Sequence, residues 1–179
     1  MRGNARRAWR LMSIGAVLIA FASASTEASA QAAAYQFNAP AGWTVAVEGD
    51  VVTLTPQTEP AGAVQLMILP VKRLQPDFAA QFATERSALE SFWGLRDMQA
   101  APPLRSLSSA GDYAAHFASY ASSEGYRYMA FMALGGRGAF GMVIFVAGSS
   151  DAFNRLSARA ADVFNGLGLT ANAARLAQQ

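Results

Sequence analysis

One histidine, no cysteine and a thin scatter of carboxylates limit the chemistry that this chain of 179 residues can attempt. A hydroxyl nucleophile needs a base within hydrogen-bond reach, and His116 is the single imidazole in the sequence. It falls in an alternating stretch with Ala114, Ala118 and Tyr120 expected on its face. It therefore reads first as a core or edge histidine bonded to a neighbour, and second as a base or ligand. One imidazole without thiolates cannot build the usual zinc ligand set. The carboxylate pairs Glu48/Asp50, Glu85/Glu90 and Asp112/Glu124 do not converge by spacing, as a glycosidase or calcium site would require. Glu48 and Asp50 flank a turn pair and read as solvated. The run Gly135 to Gly141 (GGRGAFG) is glycine-rich like a phosphate loop, but it lacks the Gly-Lys-Ser/Thr ending and leads into a strand. It reads as a hairpin turn with Arg137 at its tip, available to an anion or a partner.

The richer signal is aromatic. Tyr113, Phe117, Tyr120, Tyr126, Tyr128 and Phe131 fall on two neighbouring strands, and Trp43 opens an earlier hairpin. Rings with an apolar body and a polar tip suit either a core under a helix or a contact surface. The candidate surface for a partner or ligand is Trp43, Tyr120, Tyr126 and Tyr128 with the cations Arg127 and Arg137.

Those residues need a scaffold, and hydrophobic periodicity supplies one. Tyr35 to Phe37 reads as a short strand before Pro40 and Gly42. The runs 43–48 and 51–55 flank Gly49-Asp50 and predict a hairpin. Residues 63–71 predict another strand. Pro76-Asp77 opens a predicted helix to about Trp93, with Phe78, Phe82, Leu89 and Phe92 as its apolar stripe and Glu85, Arg86 and Glu90 pointing elsewhere. Residues 94–110 read as irregular, with a possible short strand at 104–107. Strands near 112–122, 126–134 and 139–147 form a predicted antiparallel meander. A helix follows from about Asp151 to Leu167, capped by Ser149 or Ser150. The stretch 171–179 reads as a polar, alanine-rich tail, either frayed or weakly helical.

Strand 139–147 shows Gly141, Val143 and Phe145 on one face and Phe140, Met142, Ile144 and Val146 on the other. A sheet with one wet face alternates apolar and polar residues, and this one does not. With two amphipathic helices available, the expected fold is α+β: a three-layer α/β/α sandwich around a mostly antiparallel sheet, one helix on each face.

The N-terminus supplies the address. Arg2, Arg6, Arg7 and Arg10 precede an apolar run from Leu11 to Ala22, and Ala28-Ser29-Ala30 follows. These are the parts of a cleavable signal peptide over residues 1–30, with Ala22 and Ala24 marking an alternative cut. The apolar run is shorter than the ~20 residues of a spanning helix. Arg6-Arg7 partly resembles a twin-arginine signal, but general secretion fits better. Taking four basic residues and Glu27 from totals of 14 and 12 leaves 10 basic and 11 acidic, a net charge of −1. That balance gives no support for nucleic-acid or anionic-membrane binding, which would need a basic face on the mature domain. The mature chain is long enough for one domain, residues 31–170, that folds without disulfide or metal.

The order of these elements carries a resemblance. Phe37-x-x-Pro40-x-Gly42-Trp43 leads into a hairpin, a strand ending in proline, a helix with paired phenylalanines, a meander and a C-terminal amphipathic helix. Over about residues 35–169 this resembles the PsbP-like (Mog/PsbP) α/β/α sandwich family. The resemblance implies a small exported bacterial protein that binds another macromolecule, with no shared reaction and no catalytic residues to carry over. The expectation is a non-catalytic periplasmic or secreted accessory protein, without cofactor or stable membrane anchor once the signal is cut, whose partner is another envelope protein. The alternatives are a small-ligand carrier, needing a cavity of roughly 300 Å³, and an enzyme centred on His116.

Overall fold

The computed structural model describes residues 34–100, 104–105, 112–122 and 125–178. The side chains of 96–100, 104–105, 117–122 and 125–127 lie outside that description, as does the expected leader 1–30. In chain order the strands are β1 (Tyr35–Gln36), β2 (Trp43–Glu48), β3 (Val51–Pro56), β4 (Val64–Ile68), β5 (Lys72–Arg73), β6 (Arg96–Ala100), β7 (Leu104–Arg105), β8 (Asp112–Ser122), β9 (Gly125–Gly136), β10 (Ala139–Ala147) and β11 (Gly168–Leu169). The helices are α1 (Phe78–Trp93), α2 (Ser150–Asn165) and the single turn α3 (Ala173–Leu176).

The main sheet runs β2-β3-β4-β10-β9-β8-β6, with β5 beside β10 and β7 beside β8. All its ladders are antiparallel. Turn chemistry sets two of its hairpins. Gly49 has φ 57° at the first central position between Glu48 and Val51, the place where a type II′ turn favours glycine. Arg137 (φ 52°) and Gly138 (φ 75°) are both left-handed between the paired residues Gly136 and Ala139, as a type I′ turn requires.

The expected layers are present. Along β10 every residue is buried, because the side chains alternate between two cores. Val143, Phe145 and Ala147 join Ala130 and Met132 of β9 under α2, which contributes Leu156, Ala160, Val163 and Phe164. Phe140, Met142, Ile144 and Val146 join Met129, Phe131 and Ala133 under α1, which contributes Phe82, with Phe78, Leu89 and Trp93 partly buried. The caps are local: Asp77 accepts from Ala80 N at the start of α1, and Ser149 accepts from Ala152 N at the start of α2.

Three expectations are corrected. Phe92 is 61% exposed, and Trp93 faces the sheet instead. One residue is about 100° of helix, enough to move a ring off the buried stripe. The stretch read as irregular contains β6, which pairs with β8 through a register shift between Asp97 and Gln99. Its sequence, RDMQA, has no β-branched residue and so gave no strand signal. The segment read as a polar tail packs inward at Ala173 and Leu176, and β11 just before it pairs with β1. The helical reading of that tail holds over Ala173–Leu176; its inward packing is what the polar composition hid.

Candidate functional site

His116 is 7% exposed and is the single buried polar or charged residue recorded among the described residues. Strand alternation turns it toward α1, where Arg86 Nη1 lies 3.4 Å from its Nε2. Arg86 also makes an i, i+4 ion pair with Glu90, both side chains about four-fifths buried. Arg86 and Glu90 therefore point inward, contrary to the expectation that they leave the helix on its wet side. Arg86 Nη1 thus lies between a carboxylate oxygen and an imidazole nitrogen and has an N–H for each, so three polar groups can share a confined space. Among the described residues no three histidine or carboxylate side chains gather closely enough to hold a metal ion.

The aromatic rings mostly serve the α2 face. Tyr113 packs against Phe164 with ring centroids 4.8 Å apart, Tyr128 against Phe153 at 6.1 Å, and Phe153 also meets Phe145 at 5.2 Å. Burial pushes the Tyr113 phenol above its ordinary range. Beside it lies a cleft of about 60 Å³ whose wall includes Tyr113, Met132, Phe145, Ser157 and Phe164. That is far below the roughly 300 Å³ of an ordinary small-molecule pocket. Phe131 is fully buried on the α1 face.

The described members of the sequence-derived surface, Trp43, Tyr128 and Arg137, do not form one patch. Trp43 is 7% exposed and belongs to the α2-side core, so it is not a contact residue. Its indole Nε1 is buried without a hydrogen-bond partner. Register places Trp43 and Tyr128 in one row across β2, β3, β4, β10 and β9, roughly 19 Å apart. Arg137 stands nine residues along β9 from Tyr128, roughly 30 Å away, and is exposed. Tyr120, Tyr126 and Arg127 lie on β8 and β9, and their side chains are outside the described residues.

Comparison with known proteins resolves the architecture. No family model and no curated protein matches the chain. Solved structures do. Cyanobacterial PsbP (CyanoP) from Synechocystis sp. PCC 6803 superposes with a TM-score of 0.57 at 15% identity, covering 90% of this chain and 99% of that one. The Ran-binding protein Mog1p of Saccharomyces cerevisiae gives 0.55 at 6% identity, covering 76% and 90%. LpqN, involved in cell envelope biogenesis of Mycobacterium tuberculosis, gives 0.53 at 15% identity, covering 76% and 83%. The chain has a PsbP/Mog1-like fold.

Within this PsbP-like fold, the feature that sequence reasoning passed over is an edge. β2 closes one side of the sheet, and after Trp43 all its residues are exposed. Val45 and Val47 are 47% and 40% exposed, opposite the buried Leu54 and Val52 of β3. They continue the α2-side apolar surface past the helix that covers it. The strand contains no lysine, no proline and no register shift, the devices that usually blunt a free edge. Its alternation was legible in the sequence, but its place at the rim depends on strand order.

Proposed function

We propose that this protein is an exported, non-catalytic accessory protein that acts by binding another envelope protein, and that the free edge of β2 is its contact. The observation that carries this reading is the pairing of exposed Val45 and Val47 with a line of backbone donors and acceptors that no described strand pairs. An extended partner segment added to such an edge gains main-chain hydrogen bonds, and its alternate side chains can cover the two valines. The signal-peptide pattern of residues 1–30 supports export, and no helix among the described residues is long and apolar enough to cross a membrane. The cleft under α2 is too small to favour a carrier, and His116 is packed beneath α1 beside Arg86.

A photo-cross-linking side chain at position 47 tests this in intact cells, with position 159 on the exposed side of α2 as control. A discrete adduct at 47 that is absent at 159, and lost when Val45 is changed to Lys, is the expected result. Equal or absent labelling at the two positions overturns the contact. N-terminal sequencing of the exported form checks the cut after Ala30.

A further inference from the structure

The two rims of the sheet are not equivalent. β6, at one rim, is broken by the register shift between Asp97 and Gln99. β2, at the other, pairs with β3 without a shift from Trp43–Pro56 to Glu48–Val51, and no described strand pairs with its outer side. A register shift blunts a rim, so β2 is the rim shaped to receive another strand.

The phase of the β2–β3 ladder decides which backbone groups face outward. In a two-residue hairpin the residues flanking the turn form a hydrogen-bonded pair, here Glu48 and Val51. Alternation makes Ala46–Thr53, Thr44–Thr55 and Gly42–Gln57 the next bonded pairs, and Gln57 N donates to Gly42 O at 2.8 Å as that phase requires. The backbone groups of Trp43, Val45 and Val47 therefore point away from β3. Trp43 N already donates to Pro40 O at 3.1 Å. Val45 and Val47 are left, each with a donor and an acceptor aimed at solvent.

These two residues are complementary to themselves. If a second copy runs antiparallel with its Val47 opposite Val45, the N–H of each valine meets the carbonyl of the other, and no outward group of the four valines is left over. Other registers fit less well. A slip of one residue sets outward groups against inward ones. A slip of two either aims the Val47 carbonyl at the engaged Trp43 amide or sets Val45 opposite Gly49, which is in the turn with φ 57°. The side chains agree with the favoured register. Val45 and Val47 share the face of Leu54 and Val52, so four valines join into one apolar strip on the α2 side. On the other face Ala46 meets Ala46 at the two-fold axis, and Glu48 meets Thr44, so no like charges are opposed.

We propose that β2 pairs with β2 of a second copy of this chain about a two-fold axis at Ala46, and that this self-pairing is what an envelope partner must displace. It rests on the β2 contact proposed above and adds what regulates it. The ladder spans the five residues 44–48, against the ~20–30 residues a side of a standard stable interface, so the dimer is weak and reversible.

The chain has no cysteine, so one introduced thiol reports self-contact. Opposed residues at a non-bonded antiparallel position have Cα atoms about 4.5 Å apart, within reach of a disulfide. Under mild oxidation the purified mature chain carrying Ala46→Cys should form a disulfide dimer at least ~10-fold faster than one carrying Arg159→Cys, whose site is exposed on α2. Adding Val45→Lys should bring the Ala46→Cys rate down to that of Arg159→Cys, because a lysine at the rim opposes strand addition. Val45 is half in water, so the melting temperature should stay within ~3 °C of the parent's, and loss of fold could not explain the lost dimer. In sedimentation the parent should pass from monomer at ~10 μM toward dimer at ~1 mM, and Val45→Lys should not. Equal rates at 46 and 159, a rate that Val45→Lys leaves unchanged, or a parent that is monomeric throughout would each overturn the proposal. The cross-link at position 47 in cells separates the two readings by mass. An adduct to another protein, with no self-association of the purified chain, overturns the dimer and leaves the envelope contact standing. An adduct of twice the chain's mass and no other supports the dimer and removes the envelope contact.

Discussion

The centre of the sheet and its β2–β3 flank are built from similar residues and end in opposite environments. β10 is buried on all nine residues, sandwiched between α1 and α2. β3 is buried only on alternate residues, and β2 only at Trp43. Val143 and Val47 are both sheet valines, yet one is fully buried and the other 40% exposed. Residue type does not separate them; the number of layers overhead does. Stability should therefore reside in the centre, and the flank should be free to serve contact.

The largest expected effect tests the centre. Phe145 and Leu156 are both buried, and Phe145→Ala should cost about 3–5 kcal/mol and Leu156→Ala about 2–5 kcal/mol in urea unfolding. A near-neutral result would abolish the contrast with the flank. Next is Gly141, where an added Cβ would meet the Tyr35 ring at 2.8 Å. Gly141→Ala should cost about 1–3 kcal/mol, because Tyr35 is buried and its hydroxyl donates to Leu69 O at 2.7 Å.

Tyr35 gives the comparison a pH axis. Burial pushes its phenol well above the ordinary value near 10, an effect partly opposed by a backbone hydrogen bond from Met142. Its contribution is whole below pH 10, where both states hold the proton. Above pH 10 the unfolded chain ionises first, so stability falls by about 1.4 kcal/mol per pH unit. Alkaline melts of the parent against Tyr35→Phe should show that slope lessened in the variant.

The smaller effects lie at the rims. Arg137→Gly should raise stability by about 0.5–1 kcal/mol by removing the left-handed strain. Val45→Thr should change stability by less than about 0.5 kcal/mol, since the side chain is half in water. A cost above 2 kcal/mol there would show that the flank is covered after all.

Much of the sandwich was legible locally. The opposed apolar faces of β10, the Ser149 cap and the two tight turns follow from alternation and from single residues at fixed offsets. The α1 stripe was less legible, because Phe92 and Trp93 are adjacent rings and only docking chooses between them. The candidate surface was least so. Trp43 and Arg137 looked like members of one set by type, and strand order put one in the core and the other at a distant tip.

The sequence by itself determined most of the elements, the two-faced burial of the central strands and the absence of thiol chemistry, because periodicity, turn chemistry and composition are properties of neighbouring residues. Tertiary structure alone decided that β2 is an edge, that Arg86 turns inward to His116, and that Trp43 lies in the core. Each of those depends on which distant segments pair, and neither local periodicity nor composition carries that information.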